Sequence, residues 1–229
     1  MFRRLITWNA RGEVISDIIK RQKLINLIMD SINAGRGFPV ICIQEAGVRE
    51  DGTVSFFRDC DYKYTAFAPY GWEAHRCNIA ILTPIGTHDR YEVYGRDARQ
   101  ENRPMVCINV NGQVLIANIH ATATGHEAKI DIRMAIENLQ SWNQPWILIG
   151  DMNCDINALW YAAGVNNALW NVLYGRRFCV PNMMTHGTNR LDYAIQWSEQ
   201  MFPRLVWDNH QALDCAGSDH RPVVFDVTF

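Results

Sequence analysis

Ser218-Asp219-His220-Arg221-Pro222 runs directly into Val223-Val224-Phe225 near the end of the chain. A carboxylate and an imidazole are adjacent in a turn that feeds an apolar, β-branched run, which is the composition of a strand. Such a turn can bring a metal-ligand oxygen and a proton-transfer nitrogen to one rim of a β-sheet. An Asp-His pair alone says little, because such pairs occur by chance on solvated loops. Its weight comes from other segments of the chain that end in the same way.

Apolar, β-prone runs lie at 5–8, 40–44, 78–83, 105–110, 114–120, 146–150, 191–196 and 223–229, most of them bounded by Gly, Pro, Asn or Asp. Asn111-Gly112 between two of these runs is a type I′ hairpin signal and predicts antiparallel pairing of 105–110 with 114–120. Helical periodicity is clearest over 17–32, where Ile18, Ile25, Ile28, Met29 and Ile32 form a stripe. It recurs over 127–142, with Ile132, Ala135, Ile136, Leu139 and Trp142 on one face and Lys129, Asp131, Arg133 and Glu137 off it. Residues 156–174 read as a further helix. Several strands lack clean alternation, so both of their faces are expected to be buried. The expectation is an α+β layered sandwich in a single domain spanning 1–229, with no linker or repeat to divide it.

Hydrophobic residues make up 48% of the 229 and charged ones 20%, the balance of a globular domain with a substantial core. No apolar stretch approaches the length of a membrane span. The N-terminus enters a strand at once and leaves no room for a signal peptide, so the chain reads as cytoplasmic or as a mature form that restarts at Met1. A net charge of −2 argues against coating nucleic acid by bulk electrostatics, although local arginines and a metal ion would suffice for work on phosphates. The seven cysteines show no C-x-x-C spacing, which removes zinc-ribbon and thioredoxin readings. Cys42 and Cys107 fall in apolar runs as small core residues, and the other cysteines leave room for one disulfide.

Polar chemistry stands at the strand ends: Trp8-Asn9, Gln44-Glu45, His120, Gly150-Asp151-Met152-Asn153, Asp192 and Asp219-His220. Singly, each has an ordinary explanation. Glu45 reads as a solvated strand end, Asp151 as a helix cap and His120 as a hydrogen-bonded core histidine. Asp192, inside Leu191-Asp192-Tyr193-Ala194-Ile195, is harder to dismiss, because a carboxylate within a strand needs a partner or a function. Jointly, carboxylates and amides with two histidines and no sulfur cluster suit a hard, oxygen-ligated cation such as Mg²⁺. Mg²⁺ held by few carboxylates completes its shell with water and substrate phosphate, which points to phosphoester hydrolysis.

This set resembles the endonuclease/exonuclease/phosphatase superfamily typified by DNase I, and the likeness extends over nearly the whole chain. Within it, Thr7-Trp8-Asn9-x-x-Gly12, Gln44-Glu45-Ala46-Gly47, Asn102-Arg103-Pro104 and His120-Ala121-x-Ala123-x-Gly125 resemble the catalytic B subunits of cytolethal distending toxins. The resemblance implies a four-layer α/β sandwich of two packed, mixed or antiparallel sheets flanked by helices, with the site at one edge. It implies Glu45 as the principal metal ligand for Mg²⁺ (Mn²⁺ or Ca²⁺ substituting), with Asp219 contributing and Asn9 nearby. Asp151 and Asn153 correspond to the pair that orients the scissile phosphate and the attacking water. His220, polarised by Asp192, corresponds to one member of the histidine pair and His120 to the other, with the base and the acid undecided between them. Arg76 and Arg103 correspond to arginines that clamp substrate phosphate.

Three departures stand out. Arg11 follows Trp-Asn where the toxins usually carry an uncharged residue, the stretch from Glu45 to Arg76 is short, and no export signal is present. Assembly with toxin-like delivery subunits is the expectation they weaken. The leading expectation is a Mg²⁺-dependent, genotoxin-like phosphodiesterase that nicks DNA. The alternative is a phosphoinositide or inositol-phosphate phosphatase, and a catalytically inactive binding module ranks last.

Overall fold

The computed structural model describes residues 3–12, 17–47, 53–57, 60–68, 78–84, 90–94, 103–199, 204–208 and 216–229. In chain order the strands are β1 (Arg4–Asn9), β2 (Val40–Gln44), β3 (Thr53–Phe57), β4 (Cys60–Ala68), β5 (Ile79–Pro84), β6 (Arg90–Tyr94) and β7 (Met105–Val110). They continue with β8 (Val114–His120), β9 (Trp146–Asp151), β10 (Arg177–Cys179), β11 (Asp192–Trp197), β12 (Arg204–Trp207) and β13 (Val223–Thr228). The helices are α1 (Ile18–Asn33), α2 (Gly125–Gln140), α3 (Ile156–Val165) and α4 (Asn167–Leu173). Among the described residues one sheet runs β12-β13-β1-β2-β5-β4-β3 and the other β10-β11-β9-β8-β7-β6. None of the described helices is long and apolar enough to cross a membrane.

Three apolar clusters correspond to the three interfaces of a four-layer sandwich, as expected. Leu5, Val40, Cys42 and Ile81 of the first sheet meet Ile108, Ile116, Ile147 and Ile149 of the second. The alternate residues Ile6, Ile41 and Ile43 face outward and bury Leu24, Leu27 and Ile28 of α1. On the far side, Cys107, Ala117 and Leu148 pack against Ile132, Ile136 and Leu139 of α2 and Leu159 of α3. Both faces of the central strands are therefore covered. That is why β1, β2, β8 and β9 read as continuous apolar runs instead of alternating ones.

The hairpin forms as its turn residues require. Asn111 and Gly112 take φ of 53° and 68°, and Gln113 N–H donates to Val110 C=O at 3.0 Å. Val110 pairs with Val114, so the connection carries one residue more than a two-residue turn. Other elements depart from expectation. The helix predicted over 156–174 breaks at Asn166, which takes an extended φ of −127° and caps α4 through Ala168 N–H and Leu169 N–H. Of the stripe expected on α1, Ile28 is buried and Ile25 and Ile32 pack against the core, whereas Ile18 is 82% exposed and Met29 faces outward; Lys20, Leu24, Leu27 and Ser31 complete the buried face. Asp131, expected on the outer face of α2, is buried and accepts from Thr122 N–H at 2.8 Å and Thr122 Oγ1 at 2.7 Å. β3, β4, β6, β10 and β12 were not anticipated; β4 and β6 alternate charged with aromatic or apolar residues. Cys154 and Cys179 are free thiols, and the side chains of Cys60, Cys77 and Cys215 lie outside the described residues.

A polar link crosses the apolar interface between the sheets beneath the site. Asn118 of β8 donates to Ile43 C=O and Ala80 C=O, both at 2.9 Å, and accepts from Gln44 Nε2, which also reaches Thr7 Oγ1 at 3.0 Å. Replacing Asn118 by leucine strips partners from these buried groups. The Asn118→Leu chain is expected to lose about 3 kcal/mol of stability, since each orphaned buried group costs about 1–3 kcal/mol. A lower urea midpoint at unchanged m-value checks this.

Candidate active site

Two parallel strand pairs place the chemistry. β1 beside β2 sets Asn9 opposite Gln44, with Glu45 next in the chain. β8 beside β9 sets His120 opposite Asp151, and antiparallel β11 sets Asp192 across from Asp151 on its other side. These are the parallel pairs among the described strands, and the carboxyl ends of such strands are where α/β sheets present their sites. His220 arrives just ahead of β13, held by Trp8 Nε1 donating to its C=O at 3.1 Å and by its own N–H donating to Ser218 Oγ at 3.1 Å. Gly150 permits the close approach of β8 and β9: a Cβ there would lie 2.0 Å from Ile119 O. Glu45 and Asn153 hold φ of 51° and 44°, uncommon for residues with side chains and a form of strain that recurs at functional sites.

Asp151 is the hub. Its Oδ1 accepts from Asn153 N–H at 2.9 Å, and its Oδ2 accepts from Asn9 Nδ2 at 2.9 Å. That same Oδ2 lies 3.6 Å from His120 Nε2 and 3.6 Å from His220 Nε2. Burial, and next the charge of Asp192, push the Asp151 carboxyl up to about 7. His220 Nδ1 donates to Asp192 Oδ2 at 2.8 Å, and Asp192 is fully buried with its N–H donating to Thr185 Oγ1 at 3.1 Å. Burial pulls His220 down, but the hydrogen bond and charge of Asp192, with Asp151 and Asp219, outweigh it and raise the imidazole to about 9. Burial, then the charges of Arg103 and His220, hold His120 well below the ordinary imidazole value. One histidine is thus kept neutral and the other protonated near neutral pH.

His220 is raised above its ordinary 6.5, so its stabilisation is complete below that pH and is lost as pH rises through about 9. Asp151, raised above 3.8 to about 7, adds a decline of the same sign across its own lower window. Melting temperature in EDTA is expected to fall between pH 6.5 and 9, and to fall less steeply in His220→Ala. Thermal scans across that range check it.

The predicted residues are brought together unevenly. His120, Asp151, Asn153, Asp192 and His220 form one cluster, with Asn153 Nδ2 also donating to Ala121 C=O at 2.7 Å. Asn9 Nδ2 spans two carboxylates, reaching Glu45 Oε1 at 3.3 Å as well as Asp151, while Asn9 Oδ1 accepts from Arg11 N–H at 3.1 Å. Asn9 therefore bridges carboxylates in this arrangement, with both ends of its amide engaged. Asp219 sits at the exposed rim, 3.6 Å from Arg11 Nη1 and 3.7 Å from His186 Nε2. Arg103 is half-buried near enough for its charge to act on His120. Arg76 lies outside the described residues.

Two residues escaped the sequence reading. Thr185 accepts from Leu191 N–H at 3.0 Å and from Asp192 N–H, fixing the start of β11. His186 stacks on His220 with ring centroids 4.4 Å apart. Thr185-His186 follows Met183-Met184 in a segment without periodicity, and its place is fixed by contacts distant in sequence, the bridge between His186 and His220 among them.

Among the described residues, two groups of acidic and imidazole ligand atoms lie within 4.8 Å of one another: His186/Asp219/His220 and Asp151/Asp192/His220. Glu45 belongs to neither, though Asn9 ties it to Asp151. Each group offers carboxylate and imidazole atoms and no thiolate among the described residues, a chemistry suited to a hard cation.

No protein-family model matches the chain, and no curated protein does. Solved structures match it over nearly its full length. The cytolethal distending toxin of Haemophilus ducreyi is 23% identical with a TM-score of 0.69, covering 99% of this chain and 98% of that one. An endonuclease/exonuclease/phosphatase family protein from Leptotrichia buccalis is 16% identical, TM-score 0.61, over 99% and 100%. A mannosyl-6-phosphatase from Bacteroides thetaiotaomicron is 14% identical, TM-score 0.60, over 99% and 100%. The chain has the DNase I-like fold these proteins share.

Proposed function

We propose that this chain is a Mg²⁺-dependent phosphodiesterase that nicks DNA. The observation that carries the reading is the convergence of the His120 and His220 Nε2 atoms, each at 3.6 Å, on one oxygen of Asp151, with Asp192 holding the far side of His220. Two imidazoles of opposite protonation around a carboxylate are the equipment for general base and general acid work on one substrate.

Glu45 and Asp219 are the residues that would hold the cation, with Mn²⁺ or Ca²⁺ as substitutes. When bound, it would supply charge stabilisation at a non-bridging phosphate oxygen. The chain's own groups do the rest. Asp151 and Asn153 hold water and phosphate in register. His120, kept neutral by burial, takes a proton from the water as its oxygen bonds to phosphorus. His220, kept protonated by Asp192, delivers its Nε2 proton to the leaving oxygen as the P–O bond breaks. Arg103 offers a guanidinium to the phosphate, and Arg76 is proposed for the same task.

Supercoiled plasmid with Mg²⁺ is expected to accumulate open circles, and EDTA is expected to stop this. Intact plasmid together with phosphate release from phosphoinositides would overturn the nuclease reading. A phosphatase acting on phosphoinositides or other phosphate monoesters is the second reading. It is favoured by the net charge of −2 and by a phosphatase among proteins of the same fold.

A further inference from the structure

The outer helical layer holds a pocket of about 380 Å³ between α2, α3 and the start of α4, lined by His126, Lys129, Arg133, Tyr161, Val165 and Leu169 among others. Its lining includes three groups able to carry positive charge and no carboxylate among the described residues. The acids of α2 are engaged elsewhere. Asp131 turns inward to Thr122, Glu127 accepts from Thr124 Oγ1 at 2.6 Å, and Glu137 lies 3.6 Å from Arg133 as an i,i+4 surface pair of little strength. Neither His126 nor Lys129 has an ion-pair partner among the described residues. In a chain of net charge −2, this is a local reversal of sign.

Its place in the fold gives the reversal a direction. β8 and β9 end together at His120 and Asp151, and α2 and α3 both leave from that edge and run back over the sheet. His126 stands in the first turn of α2, so the basic side chains begin beside the catalytic edge and recede from it. From His126 to Arg133 the helix rises about 10 Å, close to three nucleotide steps of a duplex strand at about 3.4 Å each. Opposite the cations, Tyr161 and Val165 are 78% and 76% exposed, an apolar wall suited to sugar and base.

We propose that this pocket is an exosite for the DNA strand that flanks the scissile phosphate: Lys129 and Arg133 take backbone phosphates, and Tyr161 packs on the adjoining nucleoside. The proposal rests on the nuclease reading for its ligand, and its test does not depend on turnover. Binding of a fluorescein-labelled 20-base-pair duplex is read by anisotropy in EDTA, across a salt series, for the wild type and for Lys129→Gln/Arg133→Gln. The double variant is expected to bind about tenfold more weakly at low salt, with a log–log salt slope shallower by about 2, because each lost phosphate contact removes about 0.9. Tyr161→Ala is expected to weaken binding about fivefold with the slope unchanged. Hydrolysis of bis(4-nitrophenyl) phosphate, too small to reach the pocket, is expected to be the same in all three. Equal affinity and slope in the double variant would overturn the exosite. So would a double variant that keeps duplex binding but loses binding to vesicles containing phosphatidylinositol phosphate, which would assign the surface to lipid. A wild type inert toward plasmid and the small diester would overturn the nuclease reading instead, while the anisotropy still decides the exosite.

Discussion

Replacing Gly150 by alanine is expected to cost about 3 kcal/mol or more, a large share of the roughly 5–15 kcal/mol that stabilises an ordinary domain. The added Cβ would stand 2.0 Å from Ile119 O and 3.0 Å from Ile119 C and N, all backbone atoms that no rotamer change can move. The residue also holds φ of +149°, where side chains are strained. Relief requires β8 to draw away from β9 at the Ile119–Gly150 pair, one step from His120 and Asp151. The folded fraction is therefore expected to be nearly inactive as well, since displacements of about 1 Å can cost about a hundredfold in rate. Urea denaturation checks the stability. A midpoint equal to that of the wild type would mean that the two strands are not this close.

His220→Ala is expected to lower the rate of phosphodiester hydrolysis by about 10²–10⁴, the usual contribution of one positioned acid or base. Asp192→Asn is expected to fall nearly as far, because the amide lacks the charge that keeps His220 protonated and its NH2 can select the tautomer opposite to the one whose Nδ1–H Asp192 Oδ2 accepts at 2.8 Å. The two act as a unit, so combining them is expected to add little to the larger single loss. Single-turnover rates on nicked-circle formation check all three. Undiminished hydrolysis in His220→Ala would move the chemistry away from this cluster.

Much of this site was legible because its residues stand at strand ends that the sequence marks twice, by the end of an apolar run and by a polar residue. Asp192 betrayed itself as a carboxylate where a strand interior should be apolar, and its partner proved to be His220. The layered architecture followed from strands buried on both faces, while its four-layer order came from resemblance. Asn118 was hidden for the opposite reason. A single amide inside Val114–His120 looks like an ordinary strand position until the facing sheet supplies its partners. His186 and Thr185 lie in a segment without period, and their contacts span 34 and 7 residues of chain, which no local pattern encodes. The face of α1 was legible in part: Ile25, Ile28 and Ile32 pack on the sheet, while Leu24 and Leu27, buried beside them, fall off the isoleucine stripe that ends in exposed Ile18.

The link from Thr7 through Gln44 to Asn118 bears on alignment as well as on stability. Apolar contact is non-directional, so two greasy sheets could slide past each other by one pleat at small cost. Directed bonds from one amide to two specified carbonyls allow a single setting, in the manner of a detent. Asn118 sits two residues ahead of His120, and Gln44 one ahead of Glu45. The detent thus lies just beneath the halves it aligns, and the spacing of a site assembled from two sheets is fixed before any substrate arrives.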